Sequence, residues 1–225
     1  MSTFKIEGHY TLLTDYEGNS LRTFYIDKKG YIWFGTIDGI YIFDPTDGKL
    51  SHYKHSRTDP FSLPNNSIWE ISEDRQSNVW IGTYSGTLCY VNIDENNAFK
   101  TYHPQNSGLN HTPVSAFAED QQYLWVGTEG GGINRMNKAT GEFSYITSAN
   151  SITSNNIKSL ITDAGHNLWI STFMGGLDLY NVGRQKVTNF KHTKGAPHSL
   201  LVNDVRKTIL EGDSGMSVSY THLRA

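Results

Sequence analysis

The stretch "DRQSNVWIGTYSGTLCYV", residues 74–91, ends a β-branched, tryptophan-bearing run at once in Gly-Thr. One copy says only that a strand closes in a turn. The run returns as "YIWFGT", "YLWVGT" and "NLWIST", which places tryptophan at positions 33, 80, 125 and 169. A period of about 45 residues means one supersecondary unit used repeatedly, as in propellers and solenoids.

Each unit reads in the same four pieces. A short strand leads into Asp ("LRTFYID", "IWEISED", "VSAFAED", "IKSLITD"), and a polar turn then leads to the tryptophan strand. A glycine-bearing tip follows, then a third strand ("IYIFD", "LCYVN", "INRMN", "LDLYN") and a fourth ("LSHY", "FKTY", "FSYI", "VTNF"). Four short strands in about 45 residues make the blade of a β-propeller. A helical solenoid is excluded, because no unit sustains an apolar 3.6-residue period over about 10 residues. The fold class is therefore all-β: a propeller with four recognisable four-stranded blades plus the start of a fifth, "VNDVRKTILEGDSG".

The divisions are an N-terminal strand segment over 1–20, blade 1 over 21–64, blade 2 over 65–110, blade 3 over 111–153 and blade 4 over 154–201. Residues 202–211 start a fifth blade. From Val205 the repeat places the next tryptophan at position 217, where Ser217 stands. Residues 212–225 accordingly read as a non-native tail that does not continue the blade. The tryptophans are expected to fill the wedge between neighbouring sheets, and the Gly of Gly-Thr to let the chain turn at the blade rim.

Composition narrows the function classes. Nineteen Lys and Arg stand against 22 Asp and Glu for a net charge of −3, so no basic excess marks a nucleic-acid or membrane-surface binder. Cys89 is the single cysteine, which excludes an internal disulfide framework and every multi-cysteine zinc pattern. No apolar run reaches the roughly 18 residues of a membrane span, and the first residues lack the pattern of a secretory signal.

The repeat, most fully "SNNIKSLITDAGHNLWISTFMGGLDLYN" at 154–181, resembles the two-component regulator propeller repeat. That resemblance implies a seven-bladed ring, of which this chain is an open part. It further implies the ligand-sensing, periplasmic portion of a membrane-bound hybrid histidine kinase tuned to oligosaccharides for glycan use, a homodimer when whole, with its kinase and membrane segments elsewhere. Alternatives are a protein- or glycan-binding propeller scaffold and a streptogramin lyase-like enzyme.

No chemistry competes with recognition. The nine histidines form no His-Glu-x-x-His pattern, and no P-loop or Gly-x-Ser-x-Gly elbow occurs. "HYKH", with His52 and His55, reads as a solvated outer edge rather than a metal site. Asp27, Asp74, Asp120 and Asp163 lie one per blade before a turn, where an Asp carboxylate accepts backbone N–H bonds. Neither a catalytic residue, a metal site nor a cofactor is expected.

Ligand contacts are expected on the face where the loops leading into the inner strands meet the tips between second and third strands. Asn66, His111 and Asn155 come from those loops, and Asp38, Tyr84, Glu129 and Phe173 from the tips. The residue after the first apolar anchor of each inner strand is Arg22, Trp69, Ser115, Lys158 and Arg206 in turn. Three of these are basic, which suggests a small-molecule or oligosaccharide ligand that is anionic. No nucleic-acid partner is expected, and membrane contact only through segments outside this chain.

Overall fold

The computed structural model describes residues 20–84, 87–92, 96–211 and 215–220. Blade 1 comprises β1 (Leu21–Ile26), β2 (Ile32–Thr36), β3 (Gly39–Asp44) and β4 (Lys49–Tyr53). Blade 2 comprises β5 (Ile68–Glu73), β6 (Val79–Thr83), β7 (Leu88–Asn92) and β8 (Asn96–Tyr102). Blade 3 comprises β9 (Val114–Glu119), β10 (Tyr123–Thr128), β11 (Gly132–Asn137) and β12 (Phe143–Ile146). Blade 4 comprises β13 (Ile157–Thr162), β14 (Asn167–Thr172), β15 (Gly176–Asn181) and β16 (Lys186–Phe190), and β17 (Val205–Glu211) pairs with β18 (Gly215–Tyr220).

Each sheet is an antiparallel meander in sequence order, and no late strand completes an earlier sheet among the described residues. The inner strands β1, β5, β9, β13 and β17 lie side by side in succession, and the main strand packing joins each blade to the next. Leu21, Phe24 and Ile26 of β1 are exposed. The all-β propeller read from the repeat is what the chain forms, open among its described residues. No helix there is long and apolar enough to cross a membrane.

The repeat motif is a hydrogen-bonding device. Asp27 Oδ1 accepts the backbone N–H groups of Lys29 and Tyr31, closing the turn between β1 and β2. Its other oxygen accepts the indole N–H of Trp33 at 2.8 Å. Asp74 does the same for Trp80 at 2.8 Å, Asp120 for Trp125 at 3.0 Å and Asp163 for Trp169 at 3.0 Å. Each carboxylate thus satisfies both the turn and the one polar atom of its tryptophan, which in Trp33, Trp80 and Trp125 would otherwise be costly to bury. Thr36, Thr83, Thr128 and Thr172 donate their hydroxyls to the carbonyls of Gly39, Thr87, Gly132 and Gly176, tying off the tips.

Trp33, Trp80 and Trp125 belong to the cores between blades, as expected from their size. Trp33 packs with Ile68, Ile71, Ile81 and Cys89 of blade 2, Trp80 with Val114, Phe117 and Val126 of blade 3, and Trp125 with Ile157, Leu160 and Ile170 of blade 4. Trp169 is only partly buried and stacks on Phe190 at 5.8 Å.

The glycine of Gly-Thr has a different task from the expected turn. Gly35, Gly82 and Gly127 lie inside strands; the positive φ angles belong to tip glycines such as Gly39, Gly132 and Gly176. A Cβ on Gly35 would stand 2.7 Å from Ile68, on Gly82 2.8 Å from the Val114 carbonyl, and on Gly127 2.6 Å from Ile157. The missing side chain lets the next inner strand close in. In blade 4 Ser171 takes this position, and its hydroxyl lies 2.8 Å from that of Thr208 on β17.

The C-terminal stretch also departs from expectation. Residues 215–220 do continue the sheet, and Ser217 pairs with Ile209 at the register that Trp169 holds opposite Ile161. The N-terminal segment 1–19 and residues 212–214 and 221–225 lie outside the described residues.

Asp163 provides a pH signature. Burial pushes its carboxyl up, but the hydrogen bonds from Asn167 and Trp169 outweigh this and hold it below the usual carboxylate range. Its stabilising contribution is then full above the unfolded-state value and lost as pH falls through the folded-state value. Asp163→Asn keeps an acceptor but cannot titrate. In urea titrations the parent is expected to lose more stability than this variant between about pH 4 and pH 2; equal acid sensitivity contradicts the assignment.

Candidate functional site

In every inner strand the ladder skips one residue. Leu21 pairs with Thr36 and Thr23 with Gly35, leaving Arg22 out; the same skip falls at Trp69, Ser115, Lys158 and Arg206. These are β-bulges, which insert an extra residue and re-aim a side chain. All five bulged residues line one cavity of about 590 Å³, within the range of small-molecule sites. Because a bulge breaks strict alternation, its neighbours reach the cavity too. Glu70 follows Trp69, Ser159 follows Lys158, and Lys207 follows Arg206 on the same wall.

Sequence spacing identified the five bulged positions but not Glu70 or Lys207 as cavity residues. The signal that could have found them is the unit-to-unit offset of the first strand, where apolar anchors fall three apart rather than two. Burial pushes the Glu70 carboxyl above the usual range, with the charge of Lys207 opposing.

Around the mouth the aromatic residues are grouped. Trp69 stacks on Tyr84 at 5.4 Å and 29°, and the Arg22 guanidinium lies 5.1 Å from the Trp69 ring centre and 5.9 Å from that of Tyr84. Across the opening, Lys158 and Arg206 each lie 5.6 Å from the ring of Phe173. Lys158 is ion-paired with Glu129, and Arg206 with Asp204 at 3.1 Å. Tyr84 is 52% and Phe173 39% exposed, so aromatic surface is available at the rim. Ser115 is buried, and its hydroxyl is consumed by the Ile157 carbonyl at 2.7 Å.

Tips and lead-in loops do share one face, since Gly39 N–H bonds to Asn66 O, Glu129 N–H to Pro113 O and Phe173 N–H to Asn156 O. Four of the expected contacts nevertheless stand apart from the cavity. Asp38 is paired with Lys54 at 2.6 Å, its carbonyl beside His52. The Asn66 amide oxygen accepts the His55 N–H, and that of Asn155 accepts the Ser148 N–H. The His111 ring lies over the tip glycines Gly130 and Gly131. These side chains hold the loops in place, as Asn and Asp commonly do in turns.

The two histidines of "HYKH" are likewise structural. His52 stacks on Tyr41 at 3.8 Å, so it is not a solvated edge, and His55 Nδ1 lies 2.7 Å from the Leu63 carbonyl. The second loop repeats this arrangement, with His192 Nδ1 2.7 Å from the Leu200 carbonyl and Asn203 Oδ1 accepting the His192 N–H. The sequence carries this loop repeat as "HSRTDPFSLPNN" and "HTKGAPHSLLVN". Among the described residues no group of His, Cys, Asp and Glu is placed to hold a metal ion.

Comparison with known proteins bears on the repeats. The two component regulator propeller family model matches residues 15–38, 62–85 and 108–130. Histidine kinase P4 of Formosa agariphila is 27% identical over 201 residues, which cover 82% of this chain and 14% of that protein. The extracellular domain of a hybrid two component system from B. thetaiotaomicron is 26% identical with a TM-score of 0.73, over 88% of this chain and 26% of that one. PorZ, a surface component of the type-IX secretion system of Porphyromonas gingivalis, shares the fold at 15% identity and a TM-score of 0.69, over 96% of this chain and 33% of that one. The chain therefore spans a seventh to a third of the length of these relatives. In sequence, three stretches of this chain are similar to the two component regulator propeller model, and in blade architecture the chain is similar to the extracellular domain of a hybrid two component system.

Proposed function

We propose that this chain is the extracytoplasmic, periplasmic ligand-sensing portion of a hybrid two-component histidine kinase, and that it reads an oligosaccharide at the channel mouth. The observation that carries the reading is the convergence of five bulged residues, one from each inner strand, on a single cavity rimmed by exposed aromatic rings. Aromatic surface beside hydrogen-bonding side chains suits a sugar, whose ring faces are apolar and whose edges carry hydroxyls. Tyr84 and Phe173 supply the surface, and Glu129 and Lys158 the polar groups.

Recognition is favoured over catalysis by the make-up of the lining. Its ionisable groups among the described residues are Arg22, Lys158, Arg206 and Lys207 with one carboxylate, Glu70, while the carboxylates at the mouth, Glu129 and Asp204, are ion-paired with Lys158 and Arg206. General acid–base chemistry on a glycosidic bond ordinarily uses two carboxylates. The kinase activity, the homodimer and the regulated genes belong to the whole protein in this reading.

The test is a glycan array probed with the chain, followed by calorimetric titration of whatever it retains. At least one oligosaccharide is expected to bind, with affinity falling roughly tenfold in Trp69→Ala and in Phe173→Ala. Retention of no glycan, or binding that both variants leave unchanged, removes the sugar-sensing reading.

A further inference from the structure

We infer that the ligand is an anionic sugar and that Arg22 holds its charge; this rests on the channel-mouth reading above and names the ligand class. The sequence offers three cations at equivalent positions, but the structure divides them. Lys158 is matched by Glu129 and Arg206 by Asp204, so both already have carboxylate partners. Arg22 has no carboxylate and no hydrogen-bond acceptor among the described residues.

What Arg22 does have is two aromatic faces. Its guanidinium is held over Trp69 and Tyr84, which attract a cation through their ring quadrupoles but leave the N–H groups unpaired. An arginine arranged in this way loses little freedom on binding, and its planar fork suits the two oxygens of a carboxylate or sulfate ester. The β-bulge at Arg22 carries this group off the ladder to the cavity wall, where it stays exposed and within reach of a ligand. A sugar seated at the mouth would set its anionic substituent on Arg22 and its ring against the exposed aromatic rim. The pairs Lys158–Glu129 and Arg206–Asp204, each carrying both signs, would meet neutral hydroxyls.

The experiment titrates the chain with sodium glucuronate, glucose 6-sulfate and glucose at one fixed ionic strength, following tryptophan fluorescence. Trp69→Phe identifies the signal of the channel-mouth tryptophan, and thermal melts confirm that each variant is folded. Glucuronate or glucose 6-sulfate is expected to give a saturable Trp69 response, with glucose binding at least tenfold more weakly. Whichever of the two anions binds tells carboxylate from sulfate. Arg22→Ala is expected to weaken the anion by about tenfold or more, and Arg22→Lys by less, because a point charge replaces the bidentate fork. No saturable response to either anion, or a response that Arg22→Ala leaves intact, overturns the inference. Glucose binding as tightly as the anions, independent of Arg22 and lost in Phe173→Ala, overturns the anion while leaving the sugar-sensing reading in place.

Discussion

Trp125→Ala is expected to destabilise the chain by about 3–5 kcal/mol in urea unfolding. The side chain is fully buried between blades 3 and 4, against Ile157, Leu160 and Ile170, and meets Tyr180 edge-on at 6.2 Å. Removing it opens a cavity bounded by two sheets, whose own ladders keep the walls from collapsing inward. It also strips Asp120 Oδ2 of its indole donor. Domains of this kind have about 5–15 kcal/mol in all, so the variant would sit near the limit of folding. Trp69→Ala is the control. That residue is on the channel mouth, outside the interblade cores, and its loss is expected to cost well under half as much. A cost below about 1 kcal/mol for Trp125→Ala would mean that the ring is not a packing element.

Gly82→Val carries the second large effect. The first carbon added would stand 2.8 Å from the Val114 carbonyl oxygen and 2.9 Å from its side chain. Since the near atom is backbone, a rotamer change cannot relieve the contact, and β6 and β9 must separate. Overpacking of this sort costs about 1–3 kcal/mol for small additions and more for branched ones. The expected result is a loss of about 3 kcal/mol or more for Gly82→Val and a smaller loss for Gly82→Ala, measured from urea midpoints at unchanged slope. Ser171 shows the condition under which blade 4 admits a side chain here: a partner hydroxyl, Thr208, receives it. Two variants as stable as the parent would refute the close-approach role of the glycine.

Both predictions concern contacts between blades, and this is where sequence and structure part. The alternation of short strands and turns, the Asp before the hairpin, the tryptophan and the Gly-Thr ending all lie within about 45 residues of one another and repeat. Local pattern of that kind determined, without any coordinates, that the chain is all-β, that it is bladed, and that Trp33, Trp80 and Trp125 are core; Trp169 is only partly buried. It also determined which residue of each inner strand, from Arg22 to Arg206, stands at the channel mouth.

Tertiary structure decided what each of those residues can do. Ser115 spends its hydroxyl on blade 4, Lys158 meets Glu129 from the neighbouring blade 3, and Arg206 meets Asp204, while Arg22 meets only the rings of Trp69 and Tyr84 on blade 2. Most of these partners come from another repeat, so no single repeat contains both. Asp38, Asn66, His111 and Asn155 looked equally suited to a ligand, yet the loops take up their side chains or pack them against the tips. The bulges likewise arise from pairing between strands, and they alone bring Glu70 and Lys207 onto the cavity wall. A repeat can specify its own strands because backbone pairing is local, but the charge left unmatched at a channel is set by neighbours that only folding brings together.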